Sequence, residues 1–336
     1  MEDFLEENLE ENLEEFERGL LSEVNIEDDD DIIDIGSQEP GVFERGAPKP
    51  QKIVNSKVLK YLGTVKVTTD FTKPNPRAWL LQSMLKELGY PLNPDGKFGK
   101  MTEEHVKKFQ ADNSLGADGI VGPATWTRLI YLGRNRISNS TISYQDYVDA
   151  ANKLGVEVEV VQAIKDVESN GSGFVFGNHP TILFEGHVFW KQLEKRGIDP
   201  NKKNDSDILY KSWTKDHYKG DVAEHVRLEK ARQIYRAAAE ASASWGLFQI
   251  MGSNYKACGC DSVSTLVERM RTSEREQLML FVEFIKYNKM DQFLQPGYIQ
   301  WAEFAKRYNG AGYEKNKYHI KLEQRYSYYK ERNKNK

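Results

Sequence analysis

The sequence predicts a mainly α fold of the α+β kind, with a small three-helix domain followed by a larger helical domain that carries a small β element. Three observations carry this expectation. Apolar residues recur at three- and four-residue steps through most of the chain after residue 77. An octet, DGKFGKMT at 95–102 and DGIVGPAT at 118–125, is written twice with 23 residues between its starts. Residues 171–186 are rich in Gly around short apolar runs, and there one or two short strands are expected.

Length and composition set the outer limits. A chain of 336 residues suggests two or three domains and can bury a substantial core. With 39% hydrophobic and 29% charged residues and no apolar run of membrane-spanning length, no membrane insertion is expected. The acidic start lacks the basic and then apolar pattern of a secretory signal, so synthesis and first residence in the cytoplasm are expected. Two cysteines, Cys258 and Cys260, make neither a disulfide framework nor a four-ligand metal site. The six histidines show no HExxH or similar spacing, so neither metal nor cofactor is expected. Residues 1–34 hold sixteen Asp and Glu and one Arg, a net −15, which leaves +11 on the rest of a chain whose total is −4. Such a body attracts polyanions, among them nucleic acid, lipid head groups and anionic wall polymers.

In chain order, residues 1–53 form an acidic tail and linker. Leu5, Leu9, Leu13, Phe16 and Leu20 follow an amphipathic helical pattern, although crowded like charges oppose a helix in isolation. A solubilising tail, a docking element for an unknown partner and a mask over the basic body all fit it. A Pro- and Gly-bearing linker follows from residue 27.

The small domain is expected at 54–133. KVLKYLGTVKV fits either a short helix or a strand. Leu81, Met84, Leu85 and Leu88 mark a first helix that ends at Gly89, Val106 and Phe109 a second, and Trp126 and Leu129 a third. In the octets Asp95 and Asp118 suit Asx turns, and Gly96, Gly99, Gly119 and Gly122 offer backbone conformations costly to other residues. Thr102 is expected to cap the second helix, and Pro123 to sit in the first turn of the third.

The larger domain is expected at 134–336. Ser143 suits the cap of a helix over 144–154 that stops at Gly155, and a further helix is expected to contain 160–168. Residues 181–184 read as a strand opened by Pro180 and closed by Gly186. Helical patterns return at 187–196, 223–243, 263–270, 273–290, 300–308 and 320–332.

Two glutamates stand in contrasting settings. Glu168 follows Val160, Val161, Ile164 and Val167 on one helix face, where a carboxyl is partly desolvated and its pKa raised. Glu185 follows the strand after a Gly-rich turn. An acid and a carboxylate flanking one sugar is the arrangement used to cleave glycosidic bonds. Two polar motifs come later, SWGLFQIM at 244–251 and RYNGAGY at 307–313. In them Gln249, Tyr308 and Asn309 suit the orientation of a sugar amide or hydroxyl.

Two resemblances follow from these residues. The duplicated octet and its helices, over 77–132, resemble the three-helix peptidoglycan-binding domain of bacterial and phage wall hydrolases. Glu168 with Ser169, GLFQI at 246–250 and YNG at 308–310 resemble, in order, the motifs of goose-type lysozymes and lytic transglycosylases. ILFEGHVFW and ASWGLFQIMGSNYKACG are closer still to the N-acetylmuramidase domain of modular phage endolysins, over about 143–332. The resemblance implies a lysozyme-like helical domain, bacterial peptidoglycan as partner and substrate, and cleavage of the β-1,4 bond between N-acetylmuramic acid and N-acetylglucosamine during host lysis. It implies Glu168 as general acid, Glu185 as candidate second carboxylate, and Ser169, Gln249, Tyr308 and Asn309 as substrate contacts. If Glu185 faces the opposite side of the sugar with room for a water, the reaction is an inverting hydrolysis; otherwise the substrate's own hydroxyl attacks, as in a lytic transglycosylase. A monomer is expected, which would reach the wall once a holin or other lesion has opened the membrane. The acidic tail and the two cysteines lie outside the family pattern. A non-catalytic wall-binding virion protein and a nucleic-acid binder are the competing readings. The intact Glu168, Gln249 and Asn309 set argues against the first, and the absence of a nucleic-acid motif against the second.

Overall fold

In the computed structural model, residues 54–135, 141–169, 171–203 and 205–334 are described, so the tail and linker readings fall outside the described residues. The chain divides into two compact units, one closing at Asn135 and the other comprising the described residues after it.

The first unit holds α1 (Ser56–Leu62), α2 (Pro76–Glu87), α3 (Lys100–Asp112) and α4 (Pro123–Asn135). The stretch that fits helix or strand does both in turn. Asn55 caps α1 by accepting from Lys57 N at 2.7 Å, and beyond Gly63 the chain extends so that Val65 bridges Val121 antiparallel. Leu80, Leu81, Phe98, Phe109, Trp126 and Leu129 are buried at the centre. Each such side chain contributes roughly 1.5–3 kcal/mol over remaining exposed. The Trp126 indole donates to Gly63 O at 3.0 Å, which leaves no polar group stranded.

The octets form matching turns. Asp95 Oδ1 accepts from Lys97 N and Asp118 Oδ1 from Ile120 N, each at 2.8 Å, and Gly96 and Gly119 take left-handed φ of 73° and 76°. Gly99 and Gly122 do not take positive φ. Pro123 opens α4 as expected. Thr102 differs from expectation: the cap of α3 is Gly99, and Thr102 sits buried in the first turn, where its hydroxyl accepts from Gln82 Nε2 at 3.1 Å. The reason is a second, hidden repeat. Buried Gln82 accepts from Asp95 N and Gly96 N and donates to Asp95, Lys97 O and Thr102. Gln110 does the same for Gly119 N, Asp118, Ile120 O and Thr125.

The second unit begins with α5 (Tyr144–Leu154), closed by a reciprocal Ser143–Asp146 capping box and a left-handed Gly155. α6 (Val158–Glu168) follows, then β1 (Phe174–Phe176), β2 (His179–Pro180), β3 (Ile182–Phe184), α7 (Gly186–Glu194) and α8 (Ala223–Ala241). β4 (Ala243–Trp245), β5 (Ile250–Met251), α9 (Val263–Met270), α10 (Glu274–Tyr287), α11 (Trp301–Asn309) and α12 (Tyr318–Asn333) complete it. β1 and β2 make one hairpin, while β3, β4 and β5 form an antiparallel sheet in that order. The fold is therefore mainly α with a small β element. β4 and β5 were not anticipated from sequence; their hairpin is allowed by left-handed Gly246 (φ 70°) and Gln249 (φ 48°).

α10 is apolar on several faces, with Leu278, Leu280, Phe281, Val282 and Ile285 buried, and forms the unit's centre. α12 packs along α6, where Tyr329 donates to Asp166 at 2.6 Å, Tyr326 to Glu157 at 2.5 Å, and Asn333 to Glu159 at 3.0 Å. The helix that ends in Glu168 is thereby held along its polar side as well as its apolar one.

Candidate active site

α6 buries Val160, Val161 and Ile164, and this face carries its last residue, Glu168, out of water. Asn309, the last residue of α11, donates Nδ2 to Glu168 Oε2 at 3.1 Å. Glu168 Oε1 and Asn309 Oδ1 are both buried and have no hydrogen-bond partner among the described residues. Burial pushes the Glu168 carboxyl up to about 8, against the opposing pull of the Asn309 amide and the Lys321 ammonium. At neutral pH the group is a protonated acid with one oxygen left open, which is what a proton donor requires.

Tyr308 precedes Asn309 and is buried between Phe304 and Phe281, with ring centroids 5.6 Å away in each case. Its hydroxyl donates to Phe248 O at 3.4 Å, in the turn between β4 and β5. The same turn holds Gln249, whose amide donates to Gly246 O at 2.7 Å and Thr181 O at 3.3 Å and accepts from Ser244 Oγ at 2.9 Å. Ser169 Oγ donates to Lys165 O at 2.5 Å and finishes α6. The structure thus brings Glu168 and Asn309 into direct contact, ties Tyr308 to the Gln249 turn, and occupies the donors of Ser169 and Gln249 within the protein.

Glu185 heads α7 and is 1% exposed. Its Oε2 accepts from Tyr218 Oη at 2.5 Å and lies 3.4 Å from His187 Nδ1. Tyr218 accepts in turn from Trp213 Nε1 at 3.0 Å. The flanking backbone is fixed by charge: Phe184 N donates to Glu224, Phe184 O accepts from fully buried Arg227, and Arg227 pairs with Glu224 at 2.7 Å. The two glutamates therefore sit among different partners.

Sequence reasoning missed Gln277, Glu274, Tyr218, Trp213, Arg227 and Lys321. Gln277 on α10 accepts from Leu247 N at 2.7 Å and donates to Gly173 O and Met270 O. Glu274 accepts from Gly173 N at 2.7 Å and from Ser172 Oγ. Together they join the turn after Glu168 to the turn before Gln249. A Cβ on Gly173 would come within 2.1 Å of the Gln277 amide oxygen, so this close approach needs a glycine. The available signal was one uncharged polar residue between the charged start and the apolar run of EREQLMLFVEFI.

Comparison with known proteins gives matches over both units. The family described as N-acetylmuramidase matches residues 157–330, and the putative peptidoglycan binding domain family matches 76–129. Among solved structures, the endolysin of Burkholderia AP3 phage is 36% identical with a TM-score of 0.54, covering 80% of this chain and 99% of that one. Among curated proteins, the zinc D-Ala-D-Ala carboxypeptidase of Streptomyces albus G is 41% identical over 56 residues, 15% of this chain and 22% of that protein. An uncharacterized protein in the bpoA1 3' region of Kitasatospora aureofaciens is 54% identical over 37 residues, 11% of this chain and 31% of that one. The chain spans less than a third of either curated relative.

Proposed function

Because the chain belongs to the N-acetylmuramidase family, we propose that it is an endolysin-type peptidoglycan hydrolase that cleaves between N-acetylmuramic acid and N-acetylglucosamine, with Glu168 as general acid. The observation that carries this reading is the buried Glu168–Asn309 pair with its open Oε1. Glu168 gives its proton to the leaving glycosidic oxygen as the bond to the anomeric carbon breaks. Asn309 holds Oε2 so that the proton rides on Oε1, and Asn309 Oδ1 accepts from a substrate N–H or O–H. Tyr308 carries the Gln249 turn, where the second lone pair of the Gln249 amide oxygen serves the same purpose. Ser169 acts by ending α6 at the acid.

Glu185 is the second carboxylate in this reading, taking the proton of a water that attacks the anomeric carbon. The Tyr218 bond fixes Oε2 and so sets the orientation of the carboxyl. A second reading draws on the near-complete burial of Glu185: the muramoyl 6-hydroxyl attacks instead and leaves a 1,6-anhydro end. Mass spectrometry of digested wall separates them, since reducing muramic ends support hydrolysis and anhydro ends overturn it.

The first unit supplies wall affinity in this scheme, with 1–53 as tail and linker, 54–133 as the wall-binding domain and 134–336 as the catalytic domain. The chain works as a monomer at the cell wall. No helix among the described residues is long and apolar enough to cross a membrane, and in this reading the chain reaches the wall through a holin-type lesion.

A further inference from the structure

We propose that exposed cations around the 308–313 loop, Lys321 foremost, form the surface that receives the carboxylate-bearing stem peptide of the glycan strand being cut. The proposal rests on the reading of Glu168 as the acid of this cleft.

The residues bracketing Asn309 carry an uncompensated charge. Between 306 and 325 there are six basic residues, Lys306, Arg307, Lys315, Lys317, Lys321 and Arg325, against two acidic ones, Glu314 and Glu323. All six are exposed. Among the described residues none of the six is paired with a carboxylate, whereas Arg227, Lys230, Arg232, Arg269 and Arg275 in the same unit all are. Glu314 is engaged by the Tyr313 hydroxyl. These cations belong to the end of α11, the segment that follows it and the first half of α12, so they bracket in sequence the residue that bonds the acid.

Lys321 is the member whose charge acts on the acid. Its ammonium rests 5.3 Å above the ring of buried Tyr318, one turn back on α12, and its charge is felt at Glu168. Between Lys317 and Lys321 stands His319, packed edge-on against Tyr313 at 5.3 Å. Its Nδ1 is buried with no partner among the described residues. A polar atom shielded from water and left unbonded, beside cations left unpaired, fits a surface completed by an anionic, hydrogen-bonding ligand.

The chemistry of the substrate selects the ligand. The glycan sugars are neutral, and the muramoyl lactyl group is amide-linked to the stem peptide, so the negative charge beside the scissile bond is the peptide's free carboxylates. A strand placed with its bond at Glu168 Oε1 brings the muramoyl peptide past the 308–313 loop, where Lys321 meets a carboxylate.

The test compares two substrates, purified peptidoglycan freed of wall phosphate polymers and the same material with its carboxylates amidated by carbodiimide and methylamine. At low salt and pH 6, where Glu168 keeps its proton with or without the Lys321 charge, Lys321→Gln is expected to raise KM roughly three- to five-fold on the native wall and leave kcat within about two-fold, the scale of one exposed charge contact. Lys321→Glu is expected to raise KM further. On amidated wall, wild type and Lys321→Gln should coincide. Equal losses on both walls, or no change on the native one, would overturn the proposal. So would a difference that appears only when wall phosphate polymers are restored, which would assign the surface to that polymer. Glu168→Gln, measured alongside, must lose kcat on both walls. If it stays active, the acid assignment fails while the KM comparison still decides the role of Lys321.

Discussion

Asn309 donates to Glu168 across 141 residues of sequence, and the contact holds one carboxyl oxygen at 3.1 Å while the other stays buried and open. This bond favours the ionised form, so it works against the burial that raises the pKa to about 8. Activity is expected to fall as pH rises through about 8, where the acid loses its proton. Asn309→Ala should move that alkaline limb to higher pH and lower kcat about tenfold or more by releasing the carboxyl from its orientation. A kcat–pH profile that does not move would show that Asn309 has no influence on the acid.

Glu168→Gln should separate function from stability. The unfolded carboxyl ionises near 4.5 while the folded one holds its proton to about 8, so folding carries a penalty that grows between those values. At pH 7 this amounts to up to ~3 kcal/mol. The variant should lose turnover yet melt at a higher temperature at pH 7, with the gain shrinking toward pH 4.5. A variant that is inactive because it is unfolded would show the opposite shift in Tm.

The helices, the ends of α5 and the burial of Glu168 were legible because each leaves a local mark: apolar spacing, Ser143 before the helix, Gly155 after Leu154, and Glu168 at the end of a buried face. What stayed hidden is non-local. Gln277 bonds Gly173 across 104 residues, and Arg227 bonds Phe184 across 43, so no window of sequence holds both partners. Thr102 was misread for the same reason, since its position fits a cap but its partner Gln82 is 20 residues away. Gln249 and Ser169 were expected from sequence as substrate contacts, and their donors are bound within the protein.

Tyr218 donates to Glu185, the proposed second carboxylate. If Glu185 activates water, Tyr218→Phe should retain Glu168's alkaline limb near pH 8 but lower kcat, because the bond that holds Glu185 Oε2 in place is gone. Glu185→Gln should then lower hydrolysis by two orders of magnitude or more. Reducing ends formed at an unchanged rate by Glu185→Gln would remove it from the reaction.

Acid should weaken the second unit through its buried histidines. His225 faces Pro180 O at 2.9 Å and lies edge-on to Phe176 and His179, and burial holds its pKa down to about 3. His179 is shifted in the same direction for the same reason. Unfolded histidine binds a proton below about 6.5, so the stability that neutral His225 supplies is full above 6.5 and is lost as pH falls toward 3, up to ~5 kcal/mol in all. Glu168 contributes the opposite slope above 4.5. Denaturant midpoints should therefore drop between pH 6 and 4, and the drop should be shallower in His225→Gln.

The octet glycines look interchangeable in sequence and should not behave so. Gly96 has φ 73°, and a Cβ there would stand 2.8 Å from Pro74 Cβ, so Gly96→Ala meets both a left-handed backbone and a clash, about 2 kcal/mol or more. Gly122 has neither constraint, with nothing within 4 Å of an added Cβ, and Gly122→Ala should stay within about 0.5 kcal/mol. Gln82→Ala should resemble Gly96→Ala, because Asp95 N and Gly96 N lose their acceptor while buried Thr102 loses its donor. Calorimetry of the full chain should show the transition of the first unit lowered by Gly96→Ala and Gln82→Ala and unmoved by Gly122→Ala. Equal effects of the two glycine changes would mean that the turn at 95–102 is held by something other than the Gln82 staple.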